Sequence, residues 1–532
     1  MDKLQAAYAR LDEFIRQKME NSRTPGMAVV LTDAGNILRV TTYGYANLEA
    51  KIPVTPETLF EIGSDGKTFT AIAIMQQVEA GKIDLHAPVT QYLPWFEVKS
   101  RYEPITIHHL LNHTAGISSG SEAMLDARPE VFALRETETA FPPGQHYQYS
   151  DLGYKVLGLV LESVLQKPYP EIIQENIFEP LGMSNSAPAI TNALRDRLAT
   201  GYVSAFDDRP FHFSQFLTPA PWLETATGDG SIASTPADMG AFYKALLRRG
   251  EGLLSKESFE KLIEPGIEMW SGVFYGYGIS SSTTRGYTSL MHGGDMPGFE
   301  SVLSADLDNG LAAWVGMNGP LSSGIANYAL NLLRAVYLSQ ELPDLPEVPD
   351  PTVIENASDY AGEYRAGEET FTVAAEGRKL YLHCQGTVAV LEKRDEDSFY
   401  STHPTFALFP LKFGRDEAEK VVEAYYGATW YTTDRYWGET NFSNPENWKT
   451  FAGHYRAHNP WHSNFRIILR KGALLLVWPS GEETPLTPLG DNIFRVGEEE
   501  FPPERLRFEA VVEGQALRAN LSGGDYYRFF TP

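Results

Sequence analysis

The 532-residue sequence has little cysteine, fewer positive than negative charges, and no long hydrophobic run. Its one cysteine, Cys384, excludes an internal disulfide and gives no support for an oxidising compartment. No stretch of about 18 apolar residues occurs, so we predict no membrane-spanning helix. Lys and Arg number 44 against 69 Asp and Glu, a formal net charge of -25. Such an acidic chain repels nucleic acids and anionic membranes, so we expect neither as a partner.

The N-terminus also lacks the apolar segment that directs secretion. Charged side chains interrupt every apolar run there, namely Asp2, Arg10, Asp12 and Glu13. We therefore expect a cytoplasmic protein, although a leader removed from a mature form would leave no trace. Hydrophobic residues make up 43% and charged residues 21%, a globular composition, and the length predicts two to four domains.

The first 340 residues combine helical and strand-like patterns. Apolar residues recur at three- and four-residue steps in helices, whereas short β-rich runs bounded by turns predict strands. The strand-like segments stand at both ends of this region, with helices between them. We therefore predict an α+β domain, with helices over residues 4–19, 64–80 and 325–336 and strands within residues 27–33, 37–44 and 298–317.

The composition changes at ELPDLPEVPDP, residues 341–351. Four prolines in this stretch, at positions 343, 346, 349 and 351, cannot sit inside a helix and favour an extended linker. Beyond it, short apolar runs alternate with turns. We predict a catalytic domain over 1–340, a linker over 341–357, and further domains over 358–440 and 441–532.

Two segments of the C-terminal region resemble each other. YAGEYRA at residues 360–366 recurs as FAGHYRA at residues 451–457, and each opens a strand-rich block of similar length. A short repeat that begins two similar blocks indicates a duplicated unit. We therefore predict two small antiparallel β-barrels.

Ser64-Asp65-Gly66-Lys67 has the spacing of a nucleophile and its base. A serine hydroxyl needs a base within hydrogen-bond reach, and residues three apart share one face of a helix. The helix predicted here is apolar nearly all round, as expected for a buried element. The same spacing occurs at Ser258 and Lys261, but on a charged helix that we interpret as solvent-exposed.

The flanks of this motif resemble a known family. FEIGSDGKTFTAIAIMQQVEAGKIDL, residues 60–85, resembles the first motif of the serine β-lactamase and penicillin-binding protein superfamily. The resemblance is greatest to its class C-like branch, which includes esterases, D-aminopeptidases and alkaline D-peptidases. It covers roughly residues 5–335, with further matches in order at residues 105–117, 142–162, 177–183 and 291–299.

The resemblance implies a role for each matching residue. Ser64 is the expected nucleophile, Lys67 its proton partner, and Tyr149 the base in acylation and the acid toward the leaving group. His292 stands where relatives place Lys-Thr-Gly or His-x-Gly on an edge strand, and we include it among the catalytic residues.

Three residues after His292 complete the expected site. Gly293 and Gly294 leave no side chain where a substrate backbone could lie. By position, the backbone N–H of Asp295 is expected to form an oxyanion hole with that of Ser64.

Asp151 departs from the family pattern, because relatives usually carry asparagine there. An ionised aspartate can only accept hydrogen bonds, so we expect it to raise the pKa of Lys67 and shift the base role to Tyr149. We also expect Asp151 and Asp295 to favour substrates with a free amine. A carboxylate-bearing β-lactam or D-Ala-D-Ala terminus is disfavoured, since His292 is mostly neutral near pH 7.

The resemblance implies an antiparallel sheet flanked by helices, and D-aminopeptidases of the superfamily also carry two small lipocalin-like barrels. We therefore predict a serine hydrolase that cleaves small amine-terminal amides or short peptides. A carboxylesterase, a β-lactamase-like hydrolase, an acyltransferase and a degenerate binding module stay open as alternatives. We expect no cofactor and no metal, since Pro460 breaks any helix that would align His454 with His458 and His462. A homodimer is one option for its assembly.

Overall fold

The computed structural model describes residues 3–120, 125–320 and 324–529. The chain divides into two compact units. The first unit comprises Met1–Val203, Phe216–Pro346 and Glu500–Pro503, and the second comprises Ser204–Gln215, Glu347–Glu499 and Glu504–Pro532. No sequence pattern indicated that residues 204–215 would belong to the second unit.

The first unit contains the α-helices of the described chain. The predicted N-terminal helix is confirmed, and Ser64 lies in a 3-10 turn, Gly63–Asp65, immediately before the second helix. The helices are α1 (Lys3–Ser22), α2 (Gly66–Glu79), α3 (Ile107–Leu111), α4 (Ala127–Ala133), α5 (Asp151–Leu165), α6 (Tyr169–Ile173), α7 (Glu179–Leu181), α8 (Pro236–Leu247), α9 (Lys256–Ile263) and α10 (Ile325–Tyr337).

The strands of the first unit form one large antiparallel sheet and two small pairs. The large sheet has the order β3-β2-β1-β13-β12-β11-β10-β9-β8, so strands from both ends of the unit meet at its centre, as predicted. The strands are β1 (Gly26–Asp33), β2 (Ile37–Asn47), β3 (Ile52–Pro53), β4 (Phe60–Glu61), β5 (Tyr202–Ser204), β6 (Leu217–Pro219), β7 (Ala233–Ser234), β8 (Ile267–Trp270), β9 (Val273–Tyr275), β10 (Ser280–Ser282), β11 (Ser289–Met296), β12 (Phe299–Asp306) and β13 (Leu311–Met317).

Helix α2 lies in the main core of this unit. Its first ten residues are buried, including Lys67, and Phe69 stacks on Phe242 of α8 with ring centroids 3.9 Å apart. A helix that is apolar nearly all round gains stability only when every face is covered. Burial of α2 therefore fixes the turn that precedes it and carries Ser64.

The second unit contains two closed eight-stranded antiparallel barrels, as predicted from the repeat. Their interiors are filled with side chains from alternate positions of the strands. The first barrel consists of β14 (Gly362–Ala366), β15 (Glu369–Glu376), β16 (Lys379–Cys384), β17 (Thr387–Asp395), β18 (Ser398–Ser401), β19 (Leu411–Arg415), β20 (Val421–Tyr426) and β21 (Thr429–Thr432). The second consists of β22 (Gly453–Arg456), β23 (Asn464–Arg470), β24 (Ala473–Val477), β25 (Glu483–Pro488), β26 (Ile493–Val496), β27 (Arg505–Val512), β28 (Gln515–Leu521) and β29 (Gly524–Arg528).

The repeated sequence has the same structural role in both barrels. Tyr364 and Tyr455 lie on the first strand of each barrel and are fully buried. Each hydroxyl donates to the carbonyl four residues earlier, Tyr364 to Tyr360 at 2.7 Å and Tyr455 to Phe451 at 2.8 Å. The repeated motif therefore places a buried tyrosine at the start of each barrel, where its hydroxyl is hydrogen-bonded to the backbone.

Within the described ranges, no helix combines the length and the apolar character that crossing a lipid bilayer requires.

Candidate active site

The turn that carries Ser64 packs tightly against strand β11. Gly63 has a positive φ of 49°, and a Cβ added there would lie 2.6 Å from the backbone nitrogen of Asp295. A Cβ added at Gly294 would overlap the carbonyl oxygen of Ile62. Both glycines are therefore needed for close approach of two backbones. This approach brings the Asp295 N–H beside the turn that carries the predicted nucleophile.

Gly293 and Gly294 therefore differ in role. Gly294 is buried against the nucleophile turn, whereas Gly293 is exposed. Only Gly293 lies on a surface that a substrate backbone could follow.

Lys67 is fully buried beside Ser64. Its Nζ donates to Ser64 Oγ at 2.9 Å, to Asp151 Oδ1 at 2.5 Å and to the Asp229 carbonyl oxygen at 2.9 Å. These three acceptors match the three protons of a charged ammonium group. Burial alone would lower the pKa of Lys67, but Asp151, Tyr149 and Asp229 together raise it above its usual value. Lys67 is therefore a cation near neutral pH, as expected from the presence of Asp151.

Tyr149 lies beside the nucleophile and Lys67. Lys67 Nζ is 4.9 Å from the centre of its ring, and both Lys67 and Ser64 are close enough to its hydroxyl to affect its pKa. Burial raises the pKa of Tyr149 to about 12, although the Lys67 charge opposes the shift. Tyr149 is therefore a neutral phenol at physiological pH, able to donate one proton and accept another.

Helix α5 places Asp151 because Ser150 caps it. Ser150 Oγ accepts from the Gly153 N–H at 3.1 Å and donates to the Ser118 carbonyl at 2.7 Å. A serine in this position satisfies a backbone donor that the first helical turn leaves unpaired. Asp151 is thus the first helical residue, with its side chain 22% exposed and its Oδ1 on Lys67.

The His292 side chain is held by neighbours other than the nucleophile. Its Nε2 lies 2.9 Å from the Tyr275 hydroxyl and its Nδ1 lies 2.8 Å from the Gly293 carbonyl oxygen. Among the residues that the structure describes, it makes no hydrogen bond to Ser64 or Lys67. Burial, with a contribution from Lys67, lowers the pKa of His292 to about 4. His292 is therefore a neutral group and does not provide a cation for a substrate carboxylate.

Asp65 is a buried carboxyl group that sequence reasoning missed. Its Oδ2 accepts from the Ser301 hydroxyl at 2.7 Å and from Trp314 Nε1 at 3.1 Å, while its Oδ1 lies 3.7 Å from His292 Nδ1. Burial raises the pKa of Asp65 to about 7, against the effect of its hydrogen bonds from Ser301 and Trp314. The residue ties the nucleophile turn to the central strands β12 and β13.

Strands β11 and β12 carry two neighbouring carboxyl groups. Asp295 and Glu300 are direct cross-strand partners. Partial desolvation raises the pKa of Asp295 to about 6, with repulsion from Asp151 adding to the shift. Burial likewise raises the pKa of Glu300 to about 8, with a further contribution from Asp295. Like charges directly opposite in a sheet are unfavourable, so this part of the site favours a cation.

The second serine–lysine pair is unlike the first. Ser258 and Lys261 lie on α9, and Lys261 Nζ pairs with Glu264 at 2.8 Å on the surface. Among the described residues, no group of three His, Cys, Asp or Glu side chains could hold a metal ion. His454 Nε2 instead lies 2.9 Å from Asn464 Oδ1, and His462 packs on Trp478.

A family model described as Beta-lactamase matches residues 11–336, more than half of the chain. The chain belongs to the beta-lactamase family. It is a serine hydrolase of the β-lactamase and penicillin-binding protein superfamily, as the motifs predict.

The similar proteins match different shares of this chain. Penicillin-binding protein 4* of Bacillus subtilis (strain 168) is 26% identical over 426 residues, which are 74% of this chain and 91% of that protein. Protein flp of Staphylococcus aureus (strain MW2) is 26% identical over 278 residues, 49% of this chain, and the match spans about half, 55%, of that relative.

Solved structures agree with the fold. The octameric penicillin-binding protein homologue from Pyrococcus abyssi is 26% identical with a TM-score of 0.58, covering 80% of this chain and 99% of that one. EstCE1, a hydrolase with promiscuous acyltransferase activity, is 22% identical with a TM-score of 0.52, covering 63% of this chain and 99% of its own. The latter similarity concerns the fold alone.

Proposed function

We propose that this serine hydrolase forms an acyl-enzyme on Ser64 and cleaves amide bonds of small amine-terminal substrates, in the manner of a D-aminopeptidase. The observation that carries the proposal is the contact of a buried, charged Lys67 with both Ser64 Oγ and Asp151 Oδ1. A lysine held as a cation cannot remove the serine proton itself. It stabilises negative charge that develops on Ser64 during attack.

The proton then moves through Tyr149. As Ser64 Oγ attacks the carbonyl carbon, the Tyr149 oxygen takes the serine proton while the phenol gives its own proton to the leaving nitrogen. The amine departs neutral, and the phenol is restored without ionising. In deacylation, water replaces the amine, gives its proton to Tyr149, and Tyr149 returns a proton to Ser64. The backbone N–H groups of Ser64 and Asp295 are proposed to bind the oxyanion of both intermediates.

The charges around Ser64 favour a substrate amine. Only one oxygen of Asp151 is engaged by Lys67, and within the described chain Asp151 Oδ2 has no hydrogen-bond partner. Asp295, with a pKa of about 6, is ionised near neutral pH and adds to the negative charge of Asp151, whereas Glu300, with a pKa of about 8, is mostly protonated there. A substrate ammonium group beside Asp151 would relieve this repulsion, since opposite charges at short range stabilise both. A substrate carboxylate would add to it, and the neutral His292 offers no compensation.

A carboxylesterase or a β-lactamase-like hydrolase would use the same nucleophile. A neutral ester needs no charge partner, so the acidic groups weigh neither for nor against it. A β-lactam carries a carboxylate, which the same groups disfavour. A degenerate binding module has no need for a charged lysine held on a serine hydroxyl, and the family assignment argues against it.

Three substrates test the proposed specificity. We expect turnover of D-alanine p-nitroanilide and a loss of at least about tenfold in kcat/KM when its amine is acetylated, because a charge-assisted contact to a carboxylate contributes about 1.5–3 kcal/mol. Release of p-nitroaniline is followed at fixed pH, with p-nitrophenyl butyrate measured in parallel. Turnover of butyrate alone would identify an esterase, and equal rates on free and acetylated amides would refute amine recognition.

Asp151→Asn tests the role of that carboxylate in recognising the amine. We expect the ratio of kcat/KM for the free over the acetylated amide to fall about tenfold, because asparagine cannot pair with an ammonium as a charged partner. The ratio, rather than either rate, is the readout, since the change also affects Lys67. The matched control is Asp308→Asn, an acidic residue in the turn after β12. An unchanged ratio in Asp151→Asn would contradict the assignment.

A further inference from the structure

His113 lies in the turn after α3, two residues beyond its last residue, Leu111. It is 2% exposed and has a positive φ of 58°. A non-glycine residue in this conformation is uncommon and persists only where the surroundings require it. The position of the imidazole is therefore determined by its contacts.

Those contacts hold the backbone on both sides of Tyr149. The Gln148 N–H donates to the His113 carbonyl oxygen at 2.8 Å, and the Ser150 N–H donates to His113 Nδ1 at 3.1 Å. The peptide segment carrying Tyr149 is thus fixed before and after that residue. Ser150 also caps α5, so the same hydrogen bond sets the start of the helix that carries Asp151.

The ring of His113 also packs against the catalytic tyrosine. Its centroid lies 4.4 Å from that of Tyr149 and 4.7 Å from that of Tyr275, the residue bonded to His292. Ring contacts at these distances restrict the position of a phenol. His113 therefore limits movement of the Tyr149 side chain as well as of its backbone.

The imidazole acts as a neutral acceptor. Because Nδ1 accepts from an amide, its proton is on Nε2, which has no hydrogen-bond partner among the residues that the structure describes. Burial, together with Lys67 and His292, lowers the pKa of His113 well below its usual value. A second cation beside Lys67 is thus avoided near neutral pH, and the acceptor stays available to Ser150 there.

We propose that His113 is a positioning residue of the hydrolase, which aligns Tyr149 with Ser64 and Lys67 through the Ser150 N–H and its own ring. It touches no reacting atom and acts through Tyr149. This inference rests on the proton-transfer role proposed for Tyr149. A histidine that merely filled the core would affect stability without a specific effect on the chemical step.

The test compares three substitutions at His113. His113→Leu fills similar space but removes the acceptor, and we expect kcat to fall about 10²-fold with KM changed by less than about threefold, as for a displaced catalytic group. His113→Asn tolerates a positive φ and offers an oxygen near the Nδ1 position, so it should recover most of this loss. His113→Gln, with its amide one bond farther away, should behave like His113→Leu.

The decisive comparison repeats His113→Leu in a Tyr149→Phe background. If His113 acts through the Tyr149 hydroxyl, adding His113→Leu to the Tyr149→Phe variant should lower kcat by less than about threefold. A full additive loss, an unchanged kcat in His113→Leu, or equal activity of the Asn and Gln variants would overturn the inference. If the Leu variant does not fold, the comparison of Asn with Gln decides. Full activity of Tyr149→Phe alone would instead refute the proposed proton route.

A matched histidine controls for stability. His109 Nδ1 accepts from the Thr106 N–H at 3.2 Å and completes the cap of α3. His109→Leu should lower the thermal midpoint, because a helix cap contributes about 1 kcal/mol. We expect its kcat to stay within about twofold of the wild-type value. A loss of kcat in His109→Leu equal to that of His113→Leu would reduce the effect at His113 to general destabilisation and overturn the inference.

Discussion

Ser64→Ala should lower kcat/KM by about 10⁴-fold or more on every substrate that the enzyme turns over, amide or ester. In the proposed mechanism the Ser64 hydroxyl forms the covalent intermediate, and Lys67 Nζ lies 2.9 Å from it. The other three side chains, Lys67, Tyr149 and Asp151, cannot act without this hydroxyl. Removing Ser64 alone should therefore lower kcat/KM as much as removing all four side chains. Initial rates on the p-nitroanilide and the p-nitrophenyl ester measure it, and mass spectrometry of an acylated peptide containing residue 64 identifies the intermediate.

Ser258→Ala is the matched control, because the chain offers the same serine–lysine spacing a second time. Ser258 lies on α9 in a surface environment, and Lys261 pairs with Glu264 rather than with Ser258. We expect Ser258→Ala to keep the wild-type rate within about twofold, as for surface substitutions in general. Equal activity of Ser64→Ala and the wild-type enzyme on all substrates would remove the basis of the proposed mechanism.

Features that depend on neighbours in the sequence were predictable. The spacing of Ser64 and Lys67, the apolar character of α2, and the strands around residues 298–317 all follow from local periodicity. The paired barrels were also predictable, because the repeat carries a buried tyrosine whose hydrogen bond recurs in each copy. In each case, the pattern and the physical cause lie within one segment.

Features that depend on the register of distant strands were not predictable. Glu300 faces Asp295 only because β11 and β12 pair at that position, and Asp65 approaches His292 only because the nucleophile turn packs on β11. His292 stands at a motif position, yet Tyr275, from strand β9, determines where its ring points. The sequence signal available for Asp65 was its place between Ser64 and Lys67, where it ends a 3-10 turn before a buried helix.

His113 illustrates a second limit. The motif ITIHHLLNHTAGI contains three histidines, and nothing in the sequence distinguishes their roles. The difference arises from the turn after α3, where a positive φ aims Nδ1 of His113 at the Ser150 N–H. The positive φ of His113, which only the structure shows, distinguishes it as the histidine of the three that contacts Tyr149.

Lys67→Ala should lower kcat about 10³-fold, with a smaller effect on KM. In the proposed mechanism the substitution removes the cation that stabilises negative charge on Ser64, and loss of one such donor costs about 10²–10³-fold. It also leaves Asp151 without its partner, which should lower the free energy of unfolding by about 3 kcal/mol. Stopped-flow acylation and urea unfolding measure the two effects separately. Lys261→Ala, at the equivalent position of the surface pair, should alter neither.

The double variant Lys67→Ala/Asp151→Asn separates stability from catalysis, since it removes the unpaired carboxylate without restoring the cation. It should recover most of the lost stability and none of the activity. The pH dependence gives an independent check, because the pKa of Lys67 is raised above its usual value. The stabilising contribution of its ion pair is then fully present below the unfolded-state pKa, roughly 10.4, and is lost only as the pH rises through the higher folded-state pKa. Wild-type kcat should accordingly show no ionisation of Lys67 between about pH 6 and 9. A rise in kcat through this range that disappears in Lys67→Ala would instead identify Lys67 as a neutral base and overturn the route through Tyr149.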